Sequence, residues 1–211
     1  MSDPYPEPPC PFCAIASNHP PSPPSQCSPE PADKESTAGK AFIVLSTKYL
    51  LAFLDIMPLS RGHVLVVTRK HYRTLDKVGV ELGMELGKWL PVVSRVVNKT
   101  VTGDVGDGAD SQPHWNVVQN NGARAAQVVP HVHFHVVPRP PLKVPGPAAR
   151  PNFAMFGRGQ REDLDDEEGE ELARAMRVEM ETEVKRVREE EGIDLDVDMD
   201  YSVYRRRQGN L

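Results

Sequence analysis

This 211-residue chain is short of several features that would mark out its class at once. It has only three cysteines, Cys10, Cys13 and Cys27, too few and too unevenly placed for a disulfide framework. It has no surplus of positive charge. Its 25 Lys and Arg stand against 30 Asp and Glu, a formal net charge of −5, which gives no general electrostatic case for a nucleic-acid partner. No apolar run approaches the ~20 residues needed to cross a bilayer, so no membrane partner is expected. The opening Met1-Ser2-Asp3-Pro4-Tyr5-Pro6-Glu7-Pro8-Pro9 has neither the basic nor the apolar region of a secretory leader. The expected location is therefore intracellular and reducing: the cytoplasm, with the nucleus also open to it. The length suits one modest domain with tails and insertions better than two full domains.

What the chain does have is His131-Val132-His133-Phe134-His135-Val136-Val137. Strict alternation of this kind predicts a β-strand, because successive side chains point to opposite faces. His131, His133 and His135 then share one face, and Val132, Phe134 and Val136 share the other. Imidazoles spaced this way can bind metal, move protons or attack an electrophile. His-x-His on a strand is also good zinc-ligand spacing. The residues alone leave these readings open.

The pattern His-φ-His-φ-His-φ-φ, with φ apolar, resembles the defining motif of the histidine-triad (HIT) nucleotide hydrolases and transferases. The resemblance covers roughly Cys10–Cys13 and Ala41–Arg139, apart from insertions, and is closest to the Hint-type branch. It implies an α+β fold: a five-stranded antiparallel sheet containing the triad strand, with helices packed on one side. It also implies that His133 attacks the α-phosphorus of a purine nucleoside 5′-phosphoryl substrate, with His131 and His135 flanking it. Family members commonly pair as homodimers, through the helix after the meander and the sheet edge.

Cys10-Pro11-Phe12-Cys13 opens the ordered sequence. Taken alone, a Cys-x-x-Cys in a reducing compartment means zinc, redox chemistry or nothing. Zinc needs two further ligands. The resemblance supplies them as His71 and His131, so a structural Zn2+ held by Cys10, Cys13, His71 and His131 is expected, and none is needed for the chemical step. Residues 1–17 form this N-terminal segment. Residues 18–40, with Pro20-Pro21-Ser22-Pro23-Pro24, read as a disordered or extended insertion with an idle exposed thiol at Cys27.

Phe42–Leu45, Tyr49–Leu54 and His63–Val67 are short apolar, β-rich runs separated by turn sequences, an antiparallel meander. Asp55 at a strand end is ordinarily a turn former. The resemblance makes it an acceptor for ribose hydroxyls, with Ile56 bordering the base. His63, otherwise a surface residue, becomes a support for the triad. From Leu75 to Thr100 an apolar stripe predicts a helix that Pro91 should kink or restart.

Trp115–Gln119 predicts another strand, and a loop then leads into the triad. There Asn120 matches a ribose- or phosphate-contacting position and Gln127 matches the Gln of a Gly-Gln-Ser/Thr motif. The flanking Gly and Ser/Thr are replaced by Ala126 and Val128, so a hydroxyl facing the leaving group is missing. Arg124 is either a phosphate clamp or a solvated loop residue. The HIT domain is expected over 41–139. Residues 140–211 read as a Pro-rich linker and an acidic helix with a stripe of Leu172, Met176, Met180, Val184 and Val187, too narrow for more than one docking edge. The runner-up function is a nucleotide-binding or scaffold protein with weak or no turnover.

Overall fold

The computed structural model describes residues 10–26, 39–103, 112–139 and 163–197. The expectations for Cys27 and for the Pro-rich linker after Arg139 fall outside these residues. The expected meander is present as β1 (Ile43–Ser46), β2 (Leu50–Leu54) and β3 (Val64–Thr68). β4 (His114–Gln119) and β5 (His133–Arg139) complete one antiparallel sheet in the order β1-β2-β3-β5-β4. The chain therefore inserts the triad strand between β3 and β4 and leaves β4 at an edge.

Two apolar clusters cover the two faces. On one, Ala52, Leu54, Val64, Val66, Phe134 and Val136 pack against α2 (Val80–Thr102) and α3 (Asp166–Arg186). On the other, Leu51, Phe53, Leu65 and Val67 pack against α1 (Pro11–Asn18) through Phe12, Ile15 and Ala16. The helices are therefore not all on one side: the two long ones are, and the short α1 is opposite. With both faces covered, β2 and β3 are buried at every position, which is why they read as apolar runs rather than alternating ones.

Of the two outcomes expected at Pro91, a kink or a restart, the restart does not occur: α2 runs unbroken from Val80 to Thr102. An internal proline costs about 3 kcal/mol. Leu86, Trp89, Val92, Val93, Val96 and Val97 are all buried along α2, and each contributes roughly 1.5–3 kcal/mol, so packing wins. β5 runs through Pro138 to Arg139, opposite His114. The Pro138 carbonyl accepts from Ser60 Oγ at 2.6 Å on the β3 side, beyond the last β3–β5 pair, Val64 with Val136. The missing N–H falls where no ladder partner waits.

The stretch expected to be loose after Asn18 is partly pinned. Ser22 N–H donates to the Ser46 carbonyl at 2.8 Å, and His19 and Pro24 are buried. Arg69 binds it from below, donating to the carbonyls of Ala16 and His19 at 2.6 and 3.0 Å. The charged C-terminal segment docks on its own domain: Leu172, Met176, Met180, Val184 and Val187 are all buried. Asp165 caps α3 by accepting from the amides of Glu167 and Glu168, an arrangement worth about 1 kcal/mol. No described helix is long and apolar enough to cross a membrane.

Candidate active site

In the sheet register His133 lies opposite Val67 and His135 opposite Leu65, so both histidines share the α1 face. His131 sits two residues earlier, in the turn before β5. Its ring faces the cysteines rather than flanking the other two as a third identical member. His133 is buried, and its Nδ1–H donates to the carbonyl of His131 at 2.6 Å. That bond places the ring proton on Nδ1 and leaves the Nε2 lone pair bare. Burial lowers the His133 pKa, with the contact to the His131 carbonyl opposing it, so the neutral ring is favoured. The Phe12 ring meets it edge-on with centroids 5.2 Å apart. Sequence reasoning did not single out Phe12, although its place between the two cysteines was a signal.

His135 stands 4.9 Å from His133, ring to ring, at 72°. Its Nδ1 lies 3.0 Å from Nε2 of the fully buried His63. On the far side of that ring the Leu59 amide donates to Nδ1 at 3.1 Å. An Nδ1 that accepts must be unprotonated, so the His63 proton is on Nε2 and is donated to His135. His135 then carries its own proton on Nε2. The two site rings thus present opposite edges: a lone pair on His133 and an N–H on His135. Asp55 Oδ2 lies 3.3 Å from the same Nδ1 of His63, a contact that becomes an ion pair only when that ring is protonated, and Asp55 Oδ1 accepts from the Met57 amide at 2.9 Å. Asp55, His63 and His135 can also be read as a three-ligand cluster. Of these contacts, the 3.0 Å between His63 Nε2 and His135 Nδ1 is the spacing of a hydrogen bond.

Cys10, Cys13, His71 and His131 place four donor atoms within 4.8 Å of one another. Cys10 Sγ and His131 Nδ1 are 3.4 Å apart, Cys13 Sγ and His71 Nδ1 3.3 Å, and Cys13 Sγ and His131 Nδ1 3.7 Å. Zinc bonds of about 2.3 Å to sulfur and 2.0–2.1 Å to nitrogen put tetrahedral neighbours roughly 3.3–3.8 Å apart. The donors fit. His131 Nε2–H donates to the Thr68 carbonyl at 2.7 Å, which turns Nδ1 toward the cluster as a second-layer partner should. Without a cation the group is electrostatically poor. Burial and the neighbouring Cys10 raise the Cys13 thiol to about 11, and burial lowers His131 to about 4.

The remaining predicted residues lie in the connections that follow β2 and β4. Ile56 is exposed, as is Arg124, which makes no ion pair among the described residues, and Asn120 is partly buried at the end of β4. Gln127 is buried and fully engaged: Oε1 accepts from the Gly122 amide at 2.6 Å, and Nε2 donates to the Arg73 carbonyl at 2.7 Å. It shapes the loop rather than reaching into solvent. Ala126, in place of a glycine, has φ 63° and ψ 26°. Val128 is 90% exposed. Asn121, not singled out from sequence, joins this loop to the segment after β3 by accepting from the Leu75 amide at 2.8 Å.

A buried histidine with a bare nitrogen, a proton-bearing neighbour and a Cys2His2 donor set on the same sheet face define the class of site. The HIT domain model matches residues 36–142, just over half of the chain, and the chain belongs to that family. It is 34% identical over 133 residues to the adenosine 5′-monophosphoramidase HNT1 of Saccharomyces cerevisiae, covering 61% of this chain and 76% of that one. It is 40% identical over 94 residues to the adenosine 5′-monophosphoramidase hnt1 of Schizosaccharomyces pombe, 44% of this chain and 61% of that one. Among solved structures it resembles a zinc-bound histidine triad family protein from Mycobacterium smegmatis, with a TM-score of 0.52 and 26% identity over 82% of this chain and 94% of that one.

Proposed function

We propose that this protein hydrolyses a nucleoside 5′-phosphoryl substrate of the adenosine phosphoramidate or dinucleoside polyphosphate type through a nucleotidyl-histidine intermediate. The observation that carries this reading is the 2.6 Å bond from His133 Nδ1–H to the His131 carbonyl, which leaves Nε2 as a neutral nucleophile at neutral pH. Nε2 forms a bond to the α-phosphorus as the bond to the leaving group breaks. The leaving amine or phosphate is protonated from solvent, while His135 Nε2–H donates a hydrogen bond to the phosphoryl group and keeps its proton. Water then attacks the phosphorus, the N–P bond breaks with its electron pair returning to His133 Nε2, and the proton of that water passes to solvent. The nucleoside monophosphate departs. The names of the yeast relatives favour adenosine and a phosphoramidate over other members of this class.

Asp55 and Ile56 would receive the ribose and base, and Asn120, Arg124 and the backbone shaped by Gln127 the phosphate. Zinc at Cys10, Cys13, His71 and His131 would be structural, since all four donors come from the protein. By clamping His131 it would also steady the carbonyl that orients His133. A homodimer through β4 fits the edge position of that strand and the exposure of Trp115 and Val117, 44% and 45%, beside α2. One observation favours a second reading, a nucleotide-binding protein with weak turnover: Val128 offers no hydroxyl to the leaving group.

The His133→Asn variant separates the two. It should lose turnover of adenosine phosphoramidate by about three orders of magnitude or more while still binding AMP. Turnover unchanged from wild type would overturn the covalent route, and a wild type without turnover would leave only binding.

A further inference from the structure

We propose that the C-terminal extension is a working part of the nucleoside subsite: Leu164 and the first turns of α3 hold the loop from Asp55 to Gly62 so that Ile56 and Met57 form a ledge for a purine base. The inference rests on the reading above that a nucleoside occupies this end of the site. The extension lies outside residues 36–142, the part matched by the family model, and no part of the reaction as argued so far needs it.

The loop is tied to the sheet at its ends. Asp55 N–H donates to the His63 carbonyl at 2.9 Å, and Ser60 Oγ donates to the Pro138 carbonyl at 2.6 Å. Ile56 is tied elsewhere: its carbonyl accepts from the Leu164 amide at 2.8 Å. Leu164 is itself anchored, packing against the large core cluster beneath α2 and α3. Two further contacts join the same loop to α3. Arg61 Nε donates to Glu168 at 3.1 Å, an exposed pair that guides more than it holds. Gly62, at φ +81°, lies so close to Val101 of α2 that a side chain there would collide, with Met176 of α3 3.4 Å from the same point.

The consequence is a loop whose backbone is fixed from both sides while two large apolar side chains stay outside, Ile56 at 62% and Met57 at 43% exposure. Single exposed apolar residues are ordinary. An adjacent exposed apolar pair on a braced backbone beside Asp55 offers a pre-shaped apolar contact, and its natural complement is a purine base. A pyrimidine covers less of it. Pre-shaping of this kind acts on binding, because it removes ordering that the ligand would otherwise impose.

The test titrates the full chain with AMP and with CMP, alongside thermal melts and steady-state kinetics on adenosine phosphoramidate. Leu164→Pro removes the donating amide, Leu164→Ala keeps the amide and removes the anchor, and Leu164→Ile keeps both. The first two should weaken AMP binding roughly two- to ten-fold, the span of one hydrogen bond's net worth, and CMP binding less. They should raise KM and leave kcat unchanged, and Leu164→Ile should match wild type. AMP affinity unchanged in both folded variants would overturn the proposal and leave the nucleotide reading standing. A fall in AMP binding, CMP binding and kcat together, in step with the melting temperature, would show mere packing and overturn it too. A wild type that binds neither nucleotide would overturn both readings.

Discussion

Replacing Ala126 with glycine should stabilise this protein. Among the described residues Ala126 is the one non-glycine with positive φ, at 63° with ψ 26°. An L-residue in that left-handed region costs about 1–2 kcal/mol, because Cβ crowds the following carbonyl. Glycine removes that term but adds freedom to the unfolded chain, worth about 0.4–1 kcal/mol in the other direction. The Ala126 methyl is exposed, so little apolar burial is lost. The net gain is about 0.5–1 kcal/mol. For a chain of this size, with roughly 2–4 °C per kcal/mol, the melting temperature should rise by about 1–4 °C. The bend itself must survive, since it lets Gln127 N–H reach the Gly122 carbonyl at 3.2 Å and the Gln127 side chain turn inward. Turnover should therefore change less than about three-fold, well under one hydrogen bond's worth. Ala126→Val, β-branched at the same position, should lower the melting temperature. Thermal denaturation of the three proteins at one nucleotide concentration decides it. A glycine variant that melts no higher, together with a valine variant that melts no lower, would refute the assignment of strain to this residue.

Metal analysis of protein purified without chelator should find about one zinc per chain, and a strong chelator or Cys13→Ser should lower the melting temperature and loosen α1. Metal-free protein of undiminished stability would show the cluster to be a remnant. Val128→Thr should leave stability within about 0.5 kcal/mol, because the side chain is exposed. It should raise turnover of phosphoramidates with poor leaving groups more than of those with good ones. Equal or lower turnover on both classes would show that Arg124 or another group has taken over the role of the missing hydroxyl.

Much of this molecule can be read from its letters because the responsible forces are local. Alternation from His131 onward placed a strand, and its two-residue period put His133 and His135 on a single face. The apolar stripe from Leu172 to Val187 marked the buried side of a helix that docks on its own domain. The replacement of a glycine by Ala126 was legible too, and the structure shows the position to be left-handed, a conformation glycine tolerates best. Pro91 carries a strong local preference against continuing a helix, and the buried core along α2 outweighs it.

The order of histidines along the strand is a property of the sequence, but their division of labour is not. A ring's tautomer depends on what meets each nitrogen, and here those partners are main-chain groups brought from elsewhere. The His131 carbonyl bares Nε2 of His133, the Thr68 carbonyl turns His131 toward Cys10 and Cys13, and the Leu59 amide sets His63 and through it His135. The reach of the C-terminal extension to Ile56 is of the same kind: Leu164 and Ile56 are 108 residues apart, and only the closing of the chain around α2 makes them neighbours. Side-chain chemistry is written residue by residue. Protonation and shape are decided by backbone dipoles whose positions exist only once the fold does.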